Sequence, residues 1–158
     1  MTYYRVSKKD YCKDAEIGPS GNSSSLDTEI GRHIEAVLEL VRSAEFPDKP
    51  KRLDGVFLFS DERCAQRYWW RMTDGRIYTV KTDEADILHS GDMMLLHEME
   101  GALKGDRDAT ELARRYWRGE NSQKPCEELL VTKAKIDEEV TPTSRVGVFN
   151  KLYKVSHD

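Results

Sequence analysis

Hydrophobic and polar residues recur with two different periods along the chain, and these periods predict its strands and helices. The opening stretch TYYRVS, residues 2–7, alternates and is rich in aromatic residues, which predicts a β-strand. Apolar residues then recur at helical spacing from Leu26 to Val41, so we expect an amphipathic helix that covers one face of a sheet. Between them, GPSGNSSS, residues 18–25, predicts a loop because Gly, Pro and Ser favour turns.

The rest of the chain changes between strand and helix patterns. The apolar run GVFLFS, residues 55–60, predicts a strand that leads directly into a helix at DERCAQRYWWR, residues 61–71, with Ser60 as a candidate cap. Further predictions are a strand at 74–80, helices at 91–105 and 108–119, a strand at EELLVTKAKI, residues 127–136, and a candidate last strand at GVFNKLYKVS, residues 147–156.

The predicted strands cluster at both ends of the chain, with helices between them. This order favours an α+β fold over a doubly wound parallel sheet. A length of 158 residues falls within the usual range of one domain, roughly 100 to 200 residues. We therefore expect a single domain spanning residues 1–158.

Composition excludes several classes of protein. The formal net charge of -4 argues against an indiscriminate nucleic-acid binder, although a local basic patch remains compatible with it. No apolar run reaches the length of about 18 residues that a bilayer requires, and the first residues lack the apolar core of a secretion signal. We therefore expect a cytoplasmic protein with no membrane partner. Three cysteines at wide spacings predict reduced thiols rather than a disulfide framework.

Familiar metal and nucleotide motifs are missing from the sequence. HEMEG, which begins at His97, resembles the start of a zinc-protease helix, but Gly101 stands where the second histidine ligand is needed. There is no cysteine pair at zinc-ligand spacing, no phosphate loop and no Gly-x-Ser-x-Gly elbow. We expect no metal, and we expect surface or hydrogen-bonded roles for His33, His89, His97 and His157.

A basic stripe is predicted on the helix that follows the second strand. Arg63, Arg67 and Arg71 recur every four residues, with two tryptophans beside them. Such a stripe could bind phosphates while an aromatic ring stacks on a base of single-stranded RNA or DNA. It is also compatible with a solvated helix face, the commoner role of arginines near a helix C-terminus. RRYWR, residues 114–118, allows the same two interpretations.

Four residues stand in an order that suggests a family. Arg5 lies in the first strand, Ser60 ends the second, Tyr68 follows shortly after, and Glu128 leads a late strand. This order resembles the ADP-ribosyltransferase fold, in which such residues surround NAD. The segments YYRVS, RLDGVFLFSDERCA, YWRG and EELLVTKAKI are similar to those of small bacterial members, including the transferase toxin of toxin-antitoxin-chaperone phage-defence systems.

The resemblance implies a fold and an activity. The fold would be a split mixed or antiparallel sheet flanked by helices. The activity would be an NAD-dependent ADP-ribosyltransferase, a toxin or defence effector that releases nicotinamide and modifies a macromolecule, with RNA slightly preferred over protein or DNA. NAD would be the co-substrate, without a metal, and an antitoxin protein would neutralise the enzyme. An inactive binding module of the same fold and an NAD glycohydrolase remain as alternatives.

The resemblance also implies roles for individual residues. Glu128 would stabilise the positive charge that develops on the ribose and bind a ribose hydroxyl. Arg5, where relatives more often carry His, would bind the diphosphate or the adenosine-side ribose. Ser60 would position Glu128 or the nicotinamide ribose, and Tyr68 would stack on nicotinamide. Cys126 stands where many relatives carry an acceptor-contacting Glu or Gln, which leaves the acceptor open.

Each of these residues also has a structural interpretation. Glu127 and Glu128 are compatible with exposed charges that protect a strand edge. Arg5 could pair with an acidic neighbour on the sheet, Ser60 could serve only as a helix cap, and Tyr68 could be part of the core.

Overall fold

The computed structural model describes residues 1–19 and 24–153. Within these ranges the chain forms five α-helices and one seven-stranded sheet in which all neighbouring strands are antiparallel. The α+β prediction is therefore confirmed. No helix in the described ranges is both long and apolar enough to cross a bilayer.

The elements follow the predicted order with two additional strands. The strands are β1 Tyr3–Ser7, β2 Glu16–Ile17, β3 Val56–Phe59, β4 Arg76–Lys81, β5 Ile87–Asp92, β6 Glu127–Val131 and β7 Ala134–Glu139. The helices are α1 Glu29–Glu45, α2 Glu62–Arg71, α3 Met93–Lys104, α4 Thr110–Trp117 and α5 Arg145–Tyr153, and a short 3-10 helix covers Arg52–Asp54. The predicted strands β1, β3 and β4 and the predicted helices α1 to α4 are confirmed.

Two predicted strands were wrong. EELLVTKAKI forms two strands, β6 and β7, that do not pair with each other. The candidate last strand is helix α5 through Tyr153, and its remaining residues 154–156 lie outside the described ranges. Val148 and Leu152, four residues apart, are both buried against the residues of α2, so this segment buries one helical face and not alternate residues.

The connection between β6 and β7 determines the shape of the sheet. The strand order is β2-β7-β4-β1-β3-β6-β5, so four strand-to-strand steps separate β6 from β7. In a flat sheet these steps would cover about 19 Å. The chain from Val131 to Ala134 makes only three Cα–Cα steps, which span at most about 11 Å. The sheet must therefore curl until β6 and β7 approach each other.

The curled sheet divides the core into an inner and an outer part. Within the described ranges, the inner cluster contains strand residues and the segment before β2 but no α-helical residue, with Leu58, Tyr78 and Ile136 almost fully buried. On the outer face, α2 and α5 pack over β1, β3 and β4, while α1, α3 and α4 form a separate cluster around Tyr116 and Trp117.

Helix α2 begins one residue later than predicted. Asp61, not Ser60, is its N-cap, because the Asp61 carboxylate accepts a hydrogen bond of 2.7 Å from the backbone N–H of Arg63. The predicted capping role of Ser60 is therefore wrong, and Ser60 lies half-buried in the turn between β3 and α2.

Cys64 and Cys126 form a disulfide, which corrects the prediction of reduced thiols. Both residues are buried, and the bond joins α2 to the residue directly before β6. Cysteine count could not reveal this pair, because Cys12 makes the total odd and is exposed and free. The bond also removes Cys126 from its predicted role as an acceptor contact, since its sulfur is bonded and the residue is almost fully enclosed.

We predict that breaking this disulfide lowers stability without unfolding the rest of the core. It closes a loop with a sequence separation of 62 residues, and a bond of this kind typically contributes about 2–4 kcal/mol. Cys64→Ser should lower the melting temperature under oxidising conditions and remove its sensitivity to dithiothreitol. Cys12→Ser is the matched control and should behave as wild type in both respects. A wild-type melting temperature that does not respond to dithiothreitol would contradict the prediction.

His89 is buried against two aromatic rings of the outer core. Its ring centroid lies 5.2 Å from that of Tyr116 and 5.0 Å from that of Trp117, and its Nε2 has no hydrogen-bond partner in the described part of the chain. Burial, together with the charges of Lys49 and Arg52, lowers the pKa of His89 from 6.5 to about 4. The ring is therefore neutral at pH 7.

We predict that acid destabilises the fold through His89. Its pKa is lower in the folded than in the unfolded chain, so the unfolded chain binds more protons as pH falls from 6.5 toward 4. Stability that is present above pH 6.5 is lost on acidification, on the order of 1–2 kcal/mol by pH 5. Thermal melts between pH 7 and pH 5 should show a smaller fall for His89→Gln than for wild type. His33→Gln, at an exposed site on α1, should retain the wild-type slope.

Candidate functional site

Glu128 lies in a buried network of four polar side chains, which we call the Glu128 network: Glu35, Arg52, Tyr116 and Glu128. The Tyr116 hydroxyl donates a hydrogen bond of 2.7 Å to Glu128 Oε1, and Arg52 Nη1 donates to the same oxygen. Arg52 uses Nε and Nη2 to bind the carboxylate of Glu35 at 2.9–3.1 Å. Glu128 Oε2 receives no hydrogen bond from any residue that the structure describes.

The network joins four separate elements and is closed to solvent. Glu35 comes from α1, Arg52 from the short 3-10 helix before β3, Tyr116 from α4 and Glu128 from β6. Their exposed fractions lie between 0% and 7%. The Arg52 guanidinium stacks on Phe57 at 4.3 Å and on Tyr116 at 5.1 Å from the ring centroids, which fixes its plane.

The charges of the network are fixed by its members. Burial alone would lower the pKa of Arg52, but Glu128, Tyr116 and Glu35 outweigh it and hold that pKa well above its usual value. Burial and the neighbouring Glu128 carboxylate raise the pKa of Tyr116 well above its usual range, despite the opposing effect of Arg52. Tyr116 is therefore a neutral donor and Arg52 a permanent cation.

Glu127 and Glu128 have opposite environments. Glu127 is exposed and accepts a hydrogen bond of 2.8 Å from Ser90 Oγ on β5, whereas Glu128 is 5% exposed. Strand β5 pairs with β6 on the side away from β3, so β6 is not an edge strand. The interpretation of Glu128 as an exposed edge charge is therefore wrong.

Asp92 holds the segment that leads into β6. Its buried carboxylate accepts backbone N–H bonds from Met94 at 2.9 Å, Ser122 at 2.6 Å and Cys126 at 2.9 Å. Burial alone would raise the pKa of Asp92, but these hydrogen bonds outweigh it and lower that pKa. The position of Cys126, and with it the start of the strand that carries Glu128, therefore depends on Asp92.

Arg5 lies where β1 and β3 separate. The two strands share one residue pair, Tyr4 with Phe59. Arg5 Nη1 donates a hydrogen bond of 3.1 Å to the carbonyl oxygen of Phe57. Arg5 Nε is buried and has no hydrogen-bond partner in the described ranges, where Arg5 also forms no ion pair. Burial lowers the pKa of Arg5, partly offset by the hydroxyls of Tyr11 and Tyr68. The predicted structural pairing with an acidic neighbour is absent from this part of the chain.

Residues of helices α1, α2 and α3, together with Lys8 and Tyr153, line an open pocket of about 560 Å³, which we call the helix pocket. Its apolar wall contains Met72, Met93 and Met94. Tyr68, predicted to contact nicotinamide, also lines it, and its ring lies 5.5 Å from that of Phe59 in the core. The volume and mixed lining are typical of a small-molecule site.

The helix pocket has an excess of positive charge. Lys8, Arg67 and Arg71 face it, against Asp27 and Glu100. Asp27 is 3.8 Å from the Lys8 amine, and Glu100 is 2.8 Å from Lys104. Neither arginine forms an ion pair with any described residue, although Arg71 Nη1 lies 3.4 Å from His97 Nδ1. In a chain with a net charge of -4, this lining is electrostatically more favourable for an anion than for a cation.

The basic stripe is divided by the structure. Arg67 and Arg71 line the helix pocket. Arg63 is turned toward α5, where its Nη2 donates a hydrogen bond of 3.1 Å to the carbonyl oxygen of Leu152. The indole N–H groups of the two neighbouring tryptophans are both used within the protein. Trp69 Nε1 donates a hydrogen bond to the carbonyl of Gly75, and Trp70 Nε1 donates one to the carbonyl of Arg145. Arg63 is therefore not brought to the same site as Arg67 and Arg71.

The arginines of RRYWR form ion pairs with carboxylates on the protein surface. All three lie within ion-pair distance of carboxylates: Arg114 of Glu45 and Glu111, Arg115 of Glu98 and Glu120, and Arg118 of Glu111 and Glu120. Of the two interpretations, the solvated helix face is the one that fits.

Sequence reasoning missed three members of the Glu128 network. Arg52 and Tyr116 stand inside two of the segments on which the resemblance rests, RLDGVFLFSDERCA and YWRG. Glu35 occupies an inward position of α1, where a carboxylate interrupts the apolar face. A charged residue at such a position is the signal that could have revealed the network.

We predict that removing the cation of the network is costly. Arg52→Met leaves Glu35 and Glu128 as buried carboxylates without their counter-ion, which should lower the free energy of unfolding by about 3–5 kcal/mol. Urea unfolding measures this loss. Arg114→Met, which breaks an exposed ion pair with Glu45, is the control and should leave the unfolding midpoint near that of wild type. Equal urea midpoints for Arg52→Met and Arg114→Met would contradict the predicted contribution of Arg52 to stability.

The comparisons with known proteins identify a family but not an activity. No curated protein matches the chain. A family model described as a protein of unknown function (DUF2441) matches residues 3–142, a region that includes every member of the Glu128 network and the arginines of the helix pocket. The chain therefore belongs to the DUF2441 family.

Proposed function

We propose that the protein is an NAD-dependent ADP-ribosyltransferase that releases nicotinamide and transfers ADP-ribose to a macromolecule. The observation that carries the proposal is Arg5, a largely buried guanidinium with a free Nε and no carboxylate partner among the described residues. An unpaired buried cation is unfavourable unless an anion neutralises it. The diphosphate of NAD is such an anion, and a guanidinium binds it with two parallel hydrogen bonds.

The strand arrangement supports the finer part of the fold prediction. Strands β1 and β3 part beyond a single residue pair, and the sheet curls so that its two halves face each other. Both features suit the split sheet of ADP-ribosyltransferases. Arg5 is paired with Tyr78 of the inner cluster and Glu128 with Phe59 of the outer cluster, so a dinucleotide that contacts both would have to pass between β1 and β3. Tyr68 interacts electrostatically with Arg5 and also lines the helix pocket, so it would stand at the border between the two.

Glu128 would supply the charge that the reaction requires. When the bond between nicotinamide nitrogen and ribose C1′ breaks, its electron pair leaves with nicotinamide and C1′ becomes positively charged. The Glu128 carboxylate would stabilise this charge through Oε2, and an acceptor nucleophile would then bond to C1′ and lose its proton. Ser60, directly after the Phe59 that pairs with Glu128, would assist at the nicotinamide ribose.

The acceptor would approach from the helix pocket. Arg67 and Arg71 line this pocket without an ion pair to any described carboxylate, and they suit a phosphate-bearing acceptor such as RNA better than a neutral one. As a toxin or defence effector, the enzyme would need a neutralising antitoxin protein. The burial of Cys126 removes it from this surface.

A binding module without activity is the second candidate. The burial of Glu128 at 5% exposure favours it, because a substrate must reach this carboxylate for catalysis. A module would still bind NAD but would leave it intact. An NAD glycohydrolase would release nicotinamide with water as the acceptor.

We predict that binding and bond cleavage depend on different residues. NAD at 100 times its dissociation constant should stabilise the wild type by about 2.7 kcal/mol in a thermal melt. Arg5→Gln should abolish this shift because the diphosphate loses its cation. Glu128→Gln should keep the shift but lower nicotinamide release about 100-fold or more.

Glu127→Gln is the matched control for the reaction, since Glu127 is the exposed neighbour of Glu128, and it should retain activity. Total RNA, DNA and protein serve as acceptors, with adducts detected by mass. A shift without nicotinamide release in the wild type would favour the binding module. Release without an adduct would favour the glycohydrolase, and the absence of any shift would reject the NAD site.

A further inference from the structure

We propose that Arg52 and Tyr116 are positioning residues for Glu128, and that Glu35 neutralises Arg52 so that Glu128 keeps its negative charge for the substrate. This inference rests on the proposed NAD cleavage at Glu128. It assigns a task to three residues that do not themselves touch the reacting atoms.

The two oxygens of Glu128 have different environments. Oε1 accepts a hydrogen bond of 2.7 Å from Tyr116 Oη and another from Arg52 Nη1. Oε2 accepts no hydrogen bond from the described residues. Two donors on one oxygen restrict the orientation of the carboxylate and leave the other oxygen without a donor among the described residues. A carboxylate held in one orientation before the substrate binds needs no reorganisation when charge develops on the ribose.

Glu35 determines how much of the Arg52 charge Glu128 experiences. The guanidinium directs Nε and Nη2 to Glu35 and only Nη1 to Glu128 and Tyr116. Counting the network, two carboxylates oppose one guanidinium and one neutral phenol, so one negative charge remains in excess. If the network served packing alone, apolar side chains of similar volume would be as stable or more stable.

Gly91 provides the space through which Tyr116 reaches Glu128. Gly91 on β5 is paired directly with Glu128. A Cβ atom at this position would lie 2.4 Å from Cε2 of the Tyr116 ring. Because the ring is fully buried, it could not retreat without moving α4. Gly91 is thus part of the same positioning device.

Steady-state nicotinamide release by three variants tests the inference. Tyr116→Phe keeps the ring and its contact with Arg52 but removes the hydroxyl, and a hydrogen bond to a charged group of this kind corresponds to about a ten- to hundredfold change. We expect kcat to fall by that factor while KM for NAD stays within about twofold. Glu35→Gln should also lower kcat, because the Arg52 charge is then shared with Glu128 alone. Gly91→Ala should lower kcat by displacing the Tyr116 ring.

Thermal melts and the NAD-induced shift separate positioning from damage to the fold. Thr79→Val, which removes a hydroxyl that hydrogen-bonds to the backbone of Glu138 on β7, is the matched control and should leave kcat unchanged. A selective fall in kcat with NAD binding retained supports the inference. Wild-type kcat in Tyr116→Phe, or a loss explained by unfolded protein, overturns it and leaves the proposed function intact. Absence of release by the wild type rejects the proposed function itself and this inference with it.

Discussion

The two-residue connection between β6 and β7 is the constraint on which the rest of the structure depends. It joins strands that stand four steps apart in the sheet, so the sheet has to curl. The inner face then fills with strand side chains, and the five α-helices of the described ranges pack on the outer face. The curl thereby determines that Glu128, which shares its face with Phe59, meets α1 and α4 and not solvent.

The curl buries the Glu128 network, and burial of its charged groups carries a desolvation cost. Removing two carboxylates and a guanidinium from water costs several kcal/mol per ion before their mutual attraction is counted. The structure offsets that cost with hydrogen bonds on both edges of Arg52 and with two aromatic rings against its guanidinium plane. Arg5, by contrast, has one carbonyl partner and no compensating charge in the described ranges. The charge of Arg52 is therefore neutralised within the protein, whereas Arg5 has no carboxylate partner among the described residues.

Most elements could be predicted from the sequence because their hydrophobic periods are clear. Helix α1 and strands β1, β3 and β4 have unambiguous patterns, and tertiary contacts did not override them. The errors have physical causes. EELLVTKAKI reads as one strand because nothing in its pattern marks Thr132 and Lys133 as a reversal between distant strands. The stretch that forms α5 is rich in aromatic and β-branched residues, and only its contact with α2 selects a helix.

The candidate site was less predictable than the fold. The order of Arg5, Ser60, Tyr68 and Glu128 marks where strands begin and end, but it contains no information about which face each side chain takes. The register of β3 with β6 is what places Glu128 on the face that the helices cover. The disulfide with Cys64 is what excludes Cys126 as a contact for the acceptor. Arg52 and Tyr116 were within reach of sequence reasoning, since both lie in the quoted segments, whereas Glu35 was marked only by its inward position on α1.

The contact between Gly91 and Tyr116 has a consequence for how the family can vary. A side chain at position 91 and an aromatic ring at position 116 would occupy the same space, because the first atom of that side chain falls 2.4 Å from the ring. The two positions are therefore a single steric unit, although they lie on different elements. A relative with a side chain at position 91 must carry a smaller residue at position 116, so the two columns of a family alignment should change together.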